Sequence, residues 1–216
     1  MTGAGKPTGA KKRRHTPPQT VNVLMAGVGG QGVLIASETL ALAALCEGLE
    51  TKQSEVHGVA QRGGSVVSHV RFGPRVFSPL IRCGEVDVLY AMERLEALRY
   101  AHYVKPGGTV VMNDHVIKPI QLSDEPERPY PQEVPEFLLD KGYDVLVIPA
   151  LPRAIELGDK RCANVVLLGV LATRLGLREA SWQTALAKRF SPQILDLNTR
   201  AFADGRRLAI DLTSKT

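Results

Sequence analysis

Gly27-Val28-Gly29-Gly30-Gln31-Gly32 lies between an apolar run, Val21 to Ala26, and a helix-like run that begins at Val33. Strand, glycine turn and helix in that order make an anion-binding device. Glycine lets the chain turn off a strand end. The unpaired N–H groups and positive dipole end of the next helix then favour negative charge. The spacing GxGxxG is also that of dinucleotide sites, where it holds a pyrophosphate. The same glycines serve equally well to pack a helix closely on a strand, so spacing alone leaves both uses open. Gln31 is polar where packing would favour a small side chain, which points to a ligand or subunit contact.

A second glycine-rich element, Ser54 to Gly64, gathers Glu55, His57, Gln61, Arg62, Gly63 and Gly64 within a few positions. The guanidinium fork of Arg62 matches a phosphate, and the adjoining glycines would let one approach; bracing of backbone carbonyls is the alternative use. His57 either pairs with Glu55 to modulate a proton or serves the loop's structure. Both glycine elements follow strands, so they are expected side by side at the carboxyl edge of a parallel sheet, where such folds bind ligands. Asn113 and Asp114 end another strand there and either face the cleft or cap a turn. Asn164 either caps an apolar helix or faces the cleft.

The strings GVGGQGV, SEVHGVAQRGGSVVSHVRFG, KPGGTVVMND and VIPALPRAIELGDKRCANVVLLGVLA occur in that order between about Val21 and Leu175. Together they resemble the gamma-type domain of the 2-oxoacid:ferredoxin oxidoreductases, in the form of the indolepyruvate enzymes' beta subunit. The SEVHGVAQRGG loop is the specific part. The resemblance implies a subunit without thiamine in a complex that also uses thiamine diphosphate, Mg, iron-sulfur clusters and coenzyme A. It implies a larger thiamine- and iron-sulfur-containing partner subunit, with ferredoxin as electron acceptor. The implied reaction turns an arylpyruvate, coenzyme A and oxidised ferredoxin into aryl-acetyl-CoA, carbon dioxide and reduced ferredoxin. No catalytic residue is expected in this chain.

Absent motifs agree with that division of labour. The sequence has no HExxH, GxSxG, Walker GxxxxGK[ST] or thiamine-type GDG signature. Cys46, Cys83 and Cys162 are far apart with no CxxC pair, which argues against a cluster held by this chain alone and against a disulfide framework. Cys46 is expected to be buried and Cys162 more accessible. His69 and His102 read as surface or satisfied residues.

At 216 residues the chain suits one domain burying roughly 70% of its unfolded surface. Lys6, Lys11, Lys12, Arg13 and Arg14 account for the whole excess of 27 basic over 22 acidic side chains. The body from Val21 is therefore balanced and offers no argument for nucleic acid or membrane as partner. Residues 1 to 20, rich in glycine and proline, are expected to be a disordered basic tail. Neither a signal-type apolar segment nor a run of ~20 apolar residues occurs, so a cytoplasmic protein is the default.

The remaining pattern predicts a Rossmann-like α/β domain over 21–216, with a mostly parallel sheet, helices on both faces and a helical C-terminal part. Strands are expected at Val21–Ala26, Thr51–Glu55, Ser65–Phe72, Val86–Ala91, Thr109–Met112 and Asp144–Ile148, with a short extra strand at Val76–Ile81. Helices are expected at Val33–Glu47, Glu93–Tyr103, Ala163–Leu175, Ser181–Phe190 and Gln193–Leu208. Lys118 to Pro135, holding five of the 14 prolines, reads as a surface excursion. Two other functions fit less well. A freestanding NAD(P) enzyme would want an acid ~20 residues into the fingerprint unit, and Glu55 stands later, 28 residues after Gly27. A binding module whose basic tail touches nucleic acid rests on the tail alone.

Overall fold

The computed structural model describes residues 19–57, 64–117 and 130–213. Its centre is β1 (Val21–Val28), whose alternate side chains enter two different cores. Val23 and Met25 pack with the helices of one face, Leu24 and Ala26 with those of the other, and all four are fully buried. That two-sided burial is why the strand's sequence is apolar at successive positions. It is continued by β4 (Val86–Ala91), β5 (Val104–Asn113) and β6 (Asp144–Ile148), each parallel to its neighbour.

The other side of β1 holds the antiparallel part of the mostly parallel sheet. β2 (Glu50–His57) and β3 (Ser65–Gly73) form a hairpin, and β3 pairs antiparallel with both β1 and β2, giving the order β2-β3-β1-β4-β5-β6. The link from β2 to β3 is too short for the crossover that parallel pairing needs. β1 and β2 still run in the same direction, so both glycine elements emerge at one edge.

The first face carries α1 (Val33–Cys46), α4 (Ala150–Leu157), α5 (Ala163–Ala172), α6 (Glu179–Arg189) and α7 (Pro192–Thr213); the second carries α2 (Arg94–Tyr100) and α3 (Val134–Asp140). Every residue of α5 is buried, which settles its all-round apolarity in favour of burial within the chain. α5 and α7 cross in backbone contact at Gly169 and Gly205: a Cβ built on Gly205 would lie 1.9 Å from the Val166 carbonyl oxygen.

Several expectations change. Residues 76–81 form no strand; they loop over the sheet end, with Val76 and Ile81 tucked inward. β5 starts at Val104, because its Lys-Pro-Gly-Gly segment joins the sheet through a register shift against β4. α3 and α4 are short helices that the sequence reading did not assign. Cys162 is buried and its thiol pKa raised by that burial, whereas Cys46 is only half-buried. His69 is buried, its Nδ1 accepting the Ile81 N–H at 3.2 Å. The expected tail lies outside the described residues except for Gln19 and Thr20. No helix among the described residues is long and apolar enough to cross a membrane.

Candidate functional site

The glycine turn is built from residues with separate tasks. Gly27, still in β1, has no room for a side chain: a Cβ would meet Val33 Cγ2 at 2.7 Å and Met92 Cβ at 3.0 Å. Gly29 donates its N–H to the carbonyl of Gly64 at 2.9 Å, so the two glycine elements do meet. Gly30, at φ +101°, faces open space, and Gly32, at φ +75°, ends the turn and opens α1. No side chain caps that helix. Its first intrahelical bond runs from Ala36 N–H to Gly32 C=O, so the N–H groups of Val33, Leu34 and Ile35 have no partner earlier in the helix.

Gly30, Gln31 and Gly32 form one wall of a cleft of about 350 Å³ beyond the carboxyl ends of β1, β4 and β5. The other walls bring Met92, Asn113, His115, Lys160, Arg161 and Asn164 around it. This is the edge at which doubly wound sheets bind ligands.

Within the cleft, two of the three candidate amides are fully engaged by the protein itself. Gln31 Oε1 accepts the Val28 N–H at 2.7 Å, and Nε2 donates to the Met92 carbonyl at 3.1 Å. Asn113 Nδ2 donates to the same carbonyl at 3.2 Å while Oδ1 accepts from Ala150 N–H at 3.0 Å. Gln31 and Asn113 therefore clamp the ends of β1, β4 and β5 to one oxygen, and both also line the cleft.

Asn164 differs. It is not the cap of α5, a place held by Cys162. Its Nδ2 donates to Gly32 C=O at 3.0 Å, which turns Oδ1 away from the helix start; that oxygen is buried and has no hydrogen-bond partner. The Asn164 carbonyl in turn accepts from Tyr90 O–H at 2.8 Å, and full burial raises the pKa of that phenol. A buried acceptor without a partner costs free energy until a ligand or solvent donor meets it.

Lys160 and Arg161 bring positive charge to the cleft from the 3-10 turn Lys160–Cys162. Asp159 caps that turn and holds the Arg161 guanidinium at 2.6 Å; these hydrogen bonds from Arg161 keep the Asp159 carboxyl below its usual range. Lys160 has no ion-pair partner among the described residues. Sequence reasoning missed this pair, although two adjacent cations just before an apolar helix were a usable signal.

Glu55 lies on β2, away from the residues lining the cleft, and accepts from Gln53 Nε2 at 3.1 Å. His57 pairs its backbone with Val66; its side chain, like Gln61, Arg62 and Gly63, lies outside the described residues. Asp114 binds Arg94. The cleft thus offers an uncapped helix start and two cations, with the buried, unpaired Asn164 Oδ1 behind its wall. An uncapped helix start beside two cations is the chemistry that suits an anion. Thiolate ligation does not fit: the chain's three cysteines are free and distant in sequence, and among the described residues no group of His, Cys, Asp or Glu converges as metal ligands.

A family model described as pyruvate ferredoxin/flavodoxin oxidoreductase matches residues 22–208. The chain is 37% identical over 195 residues to the indolepyruvate oxidoreductase subunit IorB of Thermococcus kodakarensis, spanning 88% of this chain and 96% of that protein. The corresponding subunit of Pyrococcus horikoshii is 36% identical over the same shares. Among solved structures, the gamma subunit of a keto/oxoacid ferredoxin oxidoreductase from Geobacter sulfurreducens superposes with a TM-score of 0.68 at 23% identity, over 88% of this chain and 99% of that one. The last is a likeness of fold.

Proposed function

This chain belongs to the pyruvate ferredoxin/flavodoxin oxidoreductase family, and from that premise we propose that it is the non-thiamine subunit of an enzyme complex oxidising indolepyruvate and other arylpyruvates. The complex would take coenzyme A and oxidised ferredoxin and yield aryl-acetyl-CoA, carbon dioxide and reduced ferredoxin. The observation that carries this reading is the likeness to indolepyruvate oxidoreductase subunits along almost the whole of both chains.

Thiamine diphosphate, Mg and the iron-sulfur clusters would belong to the larger partner subunit, since the three free, widely spaced cysteines here do not suit a cluster. Its own part is binding and shape. Coenzyme A carries phosphates, and the cleft supplies the matching chemistry: helix-start amides with Lys160 and Arg161 for the anion. Arg62 belongs with them on the strength of its fork and its glycine neighbours. The setting is cytoplasmic.

Producing the untagged chain together with a tagged larger subunit, and asking whether the two copurify, tests the reading. A stable complex is expected, together with no quenching or enhancement of NADH fluorescence by the pure chain. Tight NADH binding and no complex would return the chain to the freestanding dinucleotide enzymes.

A further inference from the structure

At the sheet edge opposite the cleft, the arginines are distributed unevenly. Every other arginine of the described residues lies within 3.8 Å of a carboxylate. Arg71, Arg75 and Arg82 have no such partner among the described residues, and all three line one groove of about 530 Å³. Arg71 uses its N–H groups on the Asn22 side chain and on the carbonyls of Ser78 and Leu80, so it holds the loop in shape while its charge stays uncompensated. The groove's acid, Glu85, forms no ion pair with them.

The same loop exposes apolar surface. Phe77 is 80% exposed and Leu80 54% exposed, with the Arg75 guanidinium 4.8 Å from the Phe77 ring centre. An aromatic side chain flanked by arginines has the composition of an interface anchor.

The residues that precede the groove supply no carboxylate. Residues 1 to 20, which lead into this groove at Thr20, contain no acid.

We infer that the groove formed by Arg71, Arg75, Phe77, Leu80 and Arg82 is an assembly surface for an acidic, apolar-pocketed face of the larger subunit. This rests on the subunit reading above. Because the groove and the cleft occupy opposite sheet edges, a partner seated here leaves the cleft open.

The test uses the full chain and the larger subunit, purified separately and titrated at two salt concentrations. The double variant Arg75→Glu, Arg82→Glu and the single variant Phe77→Ser are each expected to weaken association at least tenfold, the double variant also losing most of the salt dependence. Arg200→Glu, on α7, is the control and should associate as the wild type does. Circular dichroism and thermal midpoints identify any variant that fails to fold. Wild-type affinity in both folded variants would overturn the assignment. So would intact assembly with selective loss of ferredoxin reduction, which would make the acceptor the occupant. If the wild-type chain itself fails to associate, the subunit reading falls and takes this occupant with it; failure of the variants' effect alone leaves that reading standing.

Discussion

Asn164 donates its side-chain N–H to the carbonyl oxygen of Gly32, 132 residues earlier, and thereby fixes the start of α5 against the start of α1. The bond explains two features together. It holds the amide with Oδ1 buried and without a hydrogen-bond partner, and it crowds Gly32, since a Cβ there would lie 2.4 Å from Asn164 Nδ2.

Replacement of Gly32 by Ala is therefore expected to cost more than replacement of Gly30. At Gly30 the positive φ alone is penalised, about 1–2 kcal/mol, because no atom lies within 4 Å of a new Cβ. At Gly32 the clash adds to a similar penalty. Asn164→Asp should lose about 1–3 kcal/mol by setting an oxygen against the Gly32 carbonyl. Urea unfolding of the three variants checks the ranking, and equal costs at the two glycines would contradict it.

The α5–α7 crossing allows a sharper expectation. A Cβ on Gly169 would come within 2.1 Å of the Phe202 carbonyl oxygen. Two packed helices must separate to admit it, so Gly169→Ala should cost roughly 3 kcal/mol, at the upper end for overpacking. The thermal midpoint should then fall by about 6–12 °C in a chain of this size. A fall of a degree or less would show that the helices can separate cheaply.

His69 makes stability sensitive to mild acid. Burial lowers its pKa, so the folded state resists a proton that the unfolded chain accepts once the pH drops below about 6.5. The neutral ring's contribution is complete above that value and declines as the pH falls. Its Nδ1 must stay unprotonated to accept from Ile81. Thermal midpoints between pH 7.5 and 5.5 should fall for the wild type and fall less for His69→Gln; parallel curves would remove His69 from the explanation.

Coenzyme A use should distinguish the two cations of the cleft. Arg161 is held by Asp159, whereas Lys160 has no ion-pair partner among the described residues. Lys160→Ala is therefore expected to raise the KM for coenzyme A in the assembled enzyme by about tenfold, and Arg161→Ala by less. Arg62→Ala should match Lys160→Ala, at a loss of ~1.5–3 kcal/mol for one charge-assisted contact. Unchanged constants in an intact complex would confine all three residues to structural roles.

How much of this was legible follows from where the causes lie in the chain. β1, β4 and β6 could be read directly, because burial on both faces leaves an apolar run that sequence displays. A mostly parallel sheet was legible, and the β2–β3 hairpin within it was implicit in the few residues between Glu55 and Ser65, too few for a crossover. The glycine turn was found, and its meeting with the second loop is seen at Gly29 and Gly64. The role of Gln31 was hidden because its partner, the Met92 carbonyl, belongs to another strand end 61 residues on. Lys160 escaped notice for a similar reason: its place at the cleft exists only once the start of α5 is brought beside the start of α1. The short α3 and α4 contain prolines and too few turns for periodicity to register.

The most direct test of the account is an oxygen-free assay of ferredoxin reduction by the larger subunit supplied with indolepyruvate and coenzyme A, with and without this chain. Reduction is expected to depend on both substrates and to appear only when this chain is present in the complex. Full activity of the larger subunit alone, or activity of the assembled pair that does not depend on coenzyme A, would contradict it.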